Sequence, residues 1–227
     1  MMPTIPGVRR LRRPVARQYP REPAAPDPPP RRRVGLLGGS FNPAHGGHRR
    51  FSVEALKQLG LDEVWWLVAP QNPLKSKTDT APLPVRMARA RAVAAHPRLR
   101  VSDLEARMGT RYTVETLPRL QARFPDIAFV WLMGADNLAT LHRWHRWQAI
   151  VTTMPIAVFA REPYIYAALM GRAARRFEDA RIYADFDRLA DATPPAWCFL
   201  RLRTHPAASS DIRAAGRWPA RRATEEH

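Results

Sequence analysis

One cysteine, Cys198, in 227 residues excludes an internal disulfide and any cysteine-rich metal site. A lone thiol of this kind suits a reducing compartment. Acidic residues are scarce: 20 Asp and Glu stand against 37 Lys and Arg, a net charge of +17. Long apolar runs are missing as well, since the longest, Ile127 to Ala135, has the length of a buried strand. The amino terminus carries arginine and proline without the apolar core of a signal peptide. These absences make a soluble, cytoplasmic protein the expectation, with no membrane partner. What is present is 45% apolar residues, enough for one substantial core but hardly for two.

The charge is uneven. Residues 1–33 hold nine arginines against Glu22 and Asp27, a local charge of +7, which leaves +10 for the remaining 194. Such a surface attracts nucleotides, RNA or counterions alike, and speaks to solubility, not fold. No nucleic-acid-binding motif accompanies it, so a solvated, arginine-rich surface is the preferred reading and a nucleic-acid partner is not expected.

Residues 1–31, rich in proline and arginine and without helical or strand periodicity, are expected to be a disordered extension. Its few acids would fit a targeting segment, yet the prolines argue against an amphipathic helix. One domain is expected over 32–220, followed by a short tail, 221–227. Within the domain, strand-like apolar runs at Val34–Leu37, Val64–Ala69, Leu99–Ser102, Ile127–Met133, Ile156–Ala160 and Trp197–Leu202 alternate with helical patterns. Those patterns lie near Arg49–Leu59, Val85–Ala95, Val114–Arg123 and Ile165–Arg176. This rhythm predicts an α/β, Rossmann-like fold: a mainly parallel sheet with helices on both faces and ligands at the carboxyl ends of the strands.

The first such end carries Gly38-Gly39-Ser40-Phe41-Asn42-Pro43-Ala44-His45-Gly46-Gly47-His48. Glycines permit close backbone approach, and the N–H groups and dipole at a helix start attract anions. The spacing matches neither the dinucleotide-binding glycine fingerprint nor a P-loop. His45 and His48, three apart, also raise the question of zinc, but no third ligand is nearby and no metal site is assigned. A tight turn with histidines capping the following helix explains the residues as well as a phosphate site does.

The segment resembles the His-x-Gly-His signature of the nucleotidyltransferase superfamily, and is most similar to the bacterial nicotinate-nucleotide adenylyltransferase family. The resemblance implies direct in-line attack of a mononucleotide phosphate on the α-phosphorus of ATP, without a covalent enzyme intermediate. Catalytic roles would fall to His45, His48 and Arg213, with Mg²⁺ held mainly through the ATP phosphates. ATP would meet Gly38, Gly39, Ser40, Phe41, His45, Gly47, His48, Ser209, Ser210, Ile212 and Arg213. Nicotinate mononucleotide would meet Ser40, Phe41, Lys75, Thr113, Asp136 and Trp144.

Four further stretches carry the resemblance. Asn72-Pro73-Leu74-Lys75 is similar to the family's Asn-Pro-x-Lys segment, placing Lys75 towards substrate phosphate. Tyr112-Thr113-Val114-Glu115-Thr116-Leu117 looks like its Tyr-Thr-x-x-Thr-Leu segment. There Thr113 is expected to cap a helix, and the family implies that it also binds the nicotinate carboxylate. Gly134-Ala135-Asp136 with Trp144 resembles the Gly-x-Asp segment and its downstream tryptophan, Asp136 facing a ribose hydroxyl and Trp144 the pyridine ring. Trp147 is expected to pack in the core instead. Ser209-Ser210-Asp211-Ile212-Arg213 resembles Ser-Thr-x-Ile-Arg, although Ala208 stands where the family has a first serine. The hydroxyls would hold the β- and γ-phosphates, and Arg213 would compensate the departing pyrophosphate. Rival readings are another nucleotidyltransferase, acting on phosphopantetheine or a choline phosphate, and a non-catalytic basic RNA-binding protein on the same scaffold.

Overall fold

The computed structural model describes residues 31–70, 80–202, 209–216 and 218. The Pro/Arg-rich extension through residue 30 and the 221–227 tail lie outside them. The chain begins β1 (Arg32–Gly39), α1 (Gly46–Gln58), β2 (Glu63–Val68), α2 (Leu83–Val93), β3 (Leu99–Ser102), α3 (Leu104–Met108) and α4 (Thr113–Arg123). It continues through β4 (Ile127–Gly134), α5 (Ala135–Thr140), α6 (Trp147–Thr153), β5 (Ile156–Phe159), α7 (Ile165–Leu169) and α8 (Arg172–Arg176). It closes with β6 (Arg181–Ile182), β7 (Trp197–Leu200) and α9 (Ser209–Ala214). The strands form one parallel sheet in the order β3-β2-β1-β4-β5-β7-β6.

Strand alternation sorts the core onto the two faces of this sheet. In β4, Ala128, Val130 and Leu132 join one apolar cluster, whereas Phe129, Trp131 and Met133 join the other. Helix α1 covers the first face with Ala55 and Leu56, and α2 with Met87 and Ala90. The second face receives Val114, Leu117 and Leu120 of α4, Leu138 of α5, and Ile150 and Val151 of α6. Helices therefore lie on both faces, as the α/β reading requires. Among the described residues no helix is long and apolar enough to cross a membrane.

All six expected strands are present, with ends displaced by one or two residues. The two-residue β6 and the short helices α3, α5 and α6 were not expected. The pattern read as one helix over Ile165–Arg176 is two helices, broken at Gly171. A Cβ there would meet the Ala167 and Ala168 carbonyl oxygens at 2.9 and 3.1 Å, so the chain turns where its backbone packs most closely.

From β1 the sheet grows one way through β2 and β3 and the other way through β4 and β5. The connections after β1 and β4 consequently leave on opposite faces and open a crevice between them. One expectation about its rim needs correction: Gly38 and Gly39 are strand residues and do not form the turn. A Cβ on Gly38 would come within 2.4 Å of the Trp131 indole, so this glycine makes room for a rigid neighbouring ring.

Gly38→Ala should therefore lose about 1–3 kcal/mol of stability through overpacking. Gly39→Ala should lose much less, because the nearest atom to its added methyl is a Phe41 ring carbon at 3.4 Å. Urea denaturation of both variants tests this; equal losses would contradict it.

Candidate nucleotide-binding site

The connection from β1 to α1 is a loop that sinks into the protein. Phe41, Asn42, Ala44 and His45 are all under a tenth exposed, and Pro43 is buried with them. Phe41 takes a left-handed φ of 45°, uncommon for an aromatic residue. Its ring is held by a stack on Trp66, with centroids 5.0 Å apart and planes at 12°. The Phe41 side chain thus belongs to the core, and only its backbone remains to meet a ligand.

Buried main chain needs partners, and here they arrive from outside the loop. Arg86 on α2 donates Nη1 to the Ser40 carbonyl at 2.7 Å, and Arg89 donates Nε to that of Ala44 at 3.4 Å. Arg213 on α9 donates Nη1 to the Asn42 carbonyl at 2.6 Å, while the Ser209 hydroxyl donates to that of Pro43 at 3.0 Å. The Asn42 side-chain oxygen accepts from the Ala81 N–H at 3.1 Å and from Trp218 Nε1 at 2.7 Å. Residues 166 and 171 positions apart are thereby joined, so the carboxyl-terminal Ser209–Arg213 segment sits against the histidine loop.

His45 has extended backbone and is the N-cap of α1. Its Nδ1 accepts the Gly47 N–H at 3.1 Å, and its own N–H donates to His48 Nδ1 at 3.3 Å. This is a capping box in which two histidines replace the usual hydroxyl and carboxylate. With both Nδ1 atoms accepting, each neutral ring must carry its proton on Nε2. The helix start therefore fixes both rings through their Nδ1 atoms. The rings lie 4.0 Å apart, and His48 also packs on Phe41 at 5.0 Å. Below them, Trp66 Nε1 donates to the Ser52 hydroxyl at 2.7 Å, which donates to the His48 carbonyl at 2.9 Å.

Across the crevice, Asp136 stands in the first turn of α5, following β4. Arg161 Nη1 lies 3.4 Å from its Oδ2, while Oδ1 is buried without a hydrogen-bond partner. A Cβ on Gly134 would touch that oxygen at 2.4 Å, so the carboxylate folds back over a glycine. Thr113 is the first residue of α4 and not its cap; Tyr112 holds the cap position. The capping work falls to Glu115, whose Oε2 accepts from the N–H groups of Arg111 and Tyr112 at 3.0 and 3.3 Å. Tyr112 in turn packs on His145, with rings 4.6 Å apart, so the start of α4 meets the turn that carries Trp144. Trp144 and Trp147 are both half-buried against the second apolar cluster.

Thus the loop of Ser40 to His48 meets Ser209 and Arg213 directly, and Thr113 and Trp144 share a neighbourhood through Tyr112 and His145. Gly47 is the second residue of α1 and Ile212 lies within α9, half-buried. Lys75 lies outside the described residues, as does the Ser210 side chain. Sequence reasoning missed Arg86, Asn42, His145 and Trp218. Arg86 had one legible signal, a charged residue four positions before the buried Ala90 on the inward stripe of α2.

The donors gathered here are imidazole, hydroxyl and guanidinium groups. Among the described residues no group of three or more His, Cys, Asp or Glu side chains is placed to hold a metal ion. Cys198 is buried, and burial pushes its thiol up to about 12, which removes it as a nucleophile. Glu105, half-buried on α3, has its carboxyl pushed up to about 7 by burial. Its carbonyl accepts from the Thr110 N–H at 3.0 Å, which ties α3 to the approach to α4.

A parallel sheet that brings a histidine-capped helix start and a distant Ser–Arg helix onto one loop is the build of a cytidylyltransferase-like domain. The model of the cytidylyltransferase-like family matches residues 36–215. A relative from Cereibacter sphaeroides (strain ATCC 17025), named "Probable nicotinate-nucleotide adenylyltransferase", is 56% identical over 82% of this chain and 98% of its own length. Relatives of the same name are 51% identical in Roseobacter denitrificans, over 82% of this chain and 93% of theirs. In Parvibaculum lavamentivorans the figures are 50%, 83% and 94%. The chain belongs to the nicotinate-nucleotide adenylyltransferase family. Its fold is shared with the solved Plasmodium falciparum nicotinic acid mononucleotide adenylyltransferase complexed with NaAD, at a TM-score of 0.61 and 14% identity over 81% of this chain and 83% of that one.

Two outcomes follow from this geometry. In ¹⁵N-resolved NMR at a pH where the imidazoles are neutral, His45 and His48 should both report the Nε2–H tautomer; an Nδ1–H signature for either ring would contradict the capping box. Glu105 gives a pH dependence. Its folded pKa is raised, so its contribution is fully present below the ordinary value of 4.5 and is lost as pH rises through about 7. Glu105→Gln should gain on the parent protein across that window, by about 1–3 kcal/mol at pH 8. Urea denaturation at pH 5 and pH 8 reads this directly; a difference that does not change with pH would refute it.

Proposed function

We propose that this protein transfers the adenylyl group of ATP to nicotinate mononucleotide, giving nicotinate adenine dinucleotide and pyrophosphate, a step of NAD biosynthesis. The observation that carries this reading is the docking of Ser209 and Arg213 on the Asn42–Pro43 carbonyls beside His45 and His48. A single mobile anion would need only the helix start. Donors on both sides of one loop suit a polyphosphate whose two ends must be treated differently.

The acceptor's phosphate oxygen attacks the α-phosphorus of ATP, a new P–O bond forms, and the bond to the β-phosphate's bridging oxygen breaks in line. Pyrophosphate leaves with that electron pair, and no residue needs to become covalently attached. Such a reaction asks the protein for position and for charge stabilisation. The Nε2–H groups of His45 and His48 would donate to phosphate oxygens as charge moves towards the leaving side. Arg213, with Ser209 and Ser210, would hold the pyrophosphate. Ser40, the backbone of Phe41 and the N–H groups around Gly47 line the approach to the α-phosphate. Ile212, within α9, would lie beside the ATP phosphates, and Gly38 and Gly39 set the strand end from which the loop departs. Magnesium bound through the ATP phosphates would offset repulsion between the two anionic substrates.

On the acceptor side, the buried, unpartnered Oδ1 of Asp136 supports a contact with a ribose hydroxyl. The N–H groups of Thr113 and Val114, at the start of α4, have no carbonyl one helical turn back to donate to. Together with the Thr113 hydroxyl they suit the nicotinate carboxylate, and Trp144 suits the pyridine face. Lys75 would approach the mononucleotide phosphate.

Pyrophosphate release from Mg-ATP, assayed separately with nicotinate mononucleotide, nicotinamide mononucleotide and phosphopantetheine, tests the assignment. Turnover should be strongest with the first; no release with any of them would refute it. His48→Ala should lose at least about a hundredfold in turnover while its circular dichroism remains that of the parent. Near-normal turnover would remove His48 from the chemistry.

A further inference from the structure

Arg86 is 1% exposed, the most deeply buried charged side chain among the described residues. Its acceptors are all main-chain carbonyls. Nε donates to Ala81 at 2.8 Å, Nη1 to both Ser40 and Ala69 at 2.7 Å, and Nη2 to Pro70 at 2.8 Å. These oxygens belong to three separate stretches: the loop after β1, the chain leaving β2, and the approach to α2. Burying a guanidinium is costly unless its donors are satisfied. A planar fork that reaches three backbones at once fixes their spacing as no compact ammonium group can.

The connection continues one step beyond the guanidinium. Ala81, whose carbonyl accepts from Arg86, donates its N–H to the Asn42 side-chain oxygen. Asn42 passes its own carbonyl to Arg213 and takes Trp218 on the same side-chain oxygen. A path of three hydrogen bonds thus runs from Arg86 through Ala81 and Asn42 to the arginine at the carboxyl-terminal edge of the site. The stretch that leads into the two histidines runs from Ser40, held by Arg86, to Ala44, held by Arg89, and His45 follows directly.

We propose that Arg86 is a positioning residue for adenylyl transfer: with Asn42 as relay, it sets the separation between the histidine loop, the loop after β2 and Arg213. It touches neither substrate. Its effect passes through carbonyls whose displacement would move donors on both sides of the triphosphate together. This rests on the reaction assigned above. A misalignment of about 1 Å between such donors is enough to cost on the order of a hundredfold in rate. The loss should fall on kcat more than on the KM of either substrate, because the binding groups themselves remain.

Arg86→Lys, which keeps the charge and loses the fork, and Asn42→Ala, which keeps Arg86 and breaks the relay, are the variants to compare. With Mg-ATP and nicotinate mononucleotide, Arg86→Lys should lose about tenfold to a hundredfold in kcat, with KM values shifting less. Asn42→Ala should show the same pattern to a smaller extent. Amide hydrogen exchange supplies a readout independent of turnover. The Gly47, His48 and Ala81 amides should exchange at least about tenfold faster in both variants, while β4 amides keep their parent rates. Unchanged kcat in the folded variants, or unchanged loop exchange, would overturn the inference and leave Arg86 a purely stabilising group. If Arg86→Lys fails to fold, Asn42→Ala decides on the same two measurements. An inert parent protein would refute the assigned reaction, and the exchange measurement would still decide the positioning role.

Discussion

The main chain between Ser40 and Ala44 is buried, and its carbonyl oxygens are answered by side chains that come from elsewhere. Arg86 takes Ser40, Arg213 takes Asn42, Ser209 takes Pro43 and Arg89 takes Ala44. Most connecting loops avoid this problem by running over the surface, where water serves as partner. Here the loop cannot do so, because Phe41 must reach Trp66 to support the His48 ring from beneath. Once that ring is supported, the backbone sinks with it, and each carbonyl left without water needs a donor. The arginines of α2 and the Ser–Arg pair of α9 follow from that requirement. They assemble the site in the course of satisfying a buried loop.

The histidines show the same economy at the scale of single atoms. A serine or aspartate would cap α1 equally well, but a serine has a single oxygen that the helix would occupy and an ionised aspartate has no donor to offer. An imidazole has two nitrogens at opposite edges of a rigid ring, so Nδ1 can close the helix start while Nε2–H stays a donor. The i, i+3 spacing that makes the capping box also keeps the two rings 4.0 Å apart, within reach of one phosphate group. The two glycines between them, Gly46 and Gly47, belong to the first turn of the helix, at the positive end of its dipole. Of the competing sequence readings of these residues, the helix cap uses only Nδ1 of each side chain, so it does not displace the anion site.

Much of the sheet was legible because strand periodicity and burial on both faces leave a direct trace. Val64, Trp66 and Val68 point one way while Trp65 and Leu67 point the other, and runs of this kind marked six strands. The short helices α3, α5 and α6 were not, since five to seven residues carry too few turns for a 3.6-residue pattern to declare itself. Residues that carry a motif were named from the sequence; those that act through the backbone were not. Gly38 was read for close approach to phosphate alone, and the structure adds a packing reason, room for Trp131, a neighbour from a strand nearly a hundred positions away. Thr113 was read as a cap because threonine favours that place, yet Glu115 reaches back and takes the two N–H groups instead. Arg86 was invisible for a plainer reason: arginine is ordinarily solvated, and nothing in α2 reveals that four carbonyls will converge on it.

The charge of the protein gains a more specific meaning from these contacts. Among the described residues, Glu63 pairs with Arg32 and Arg100, Asp191 with Arg33, Asp103 with Arg107 and Asp136 with Arg161. None of those arginines donates to the histidine loop. The three that do, Arg86, Arg89 and Arg213, are matched to carbonyl dipoles, which satisfy hydrogen bonds without cancelling a unit of charge. Burial lowers the Arg86 pKa from its ordinary value, but a guanidinium does not lose its proton in a protein. Of these three, Arg86 is buried, Arg213 half-buried and Arg89 exposed, so Arg86 alone places its charge where the dielectric is low and charge acts over longer distances than in water. Charge changed elsewhere on the surface leaves these three hydrogen-bonding partners of the loop in place.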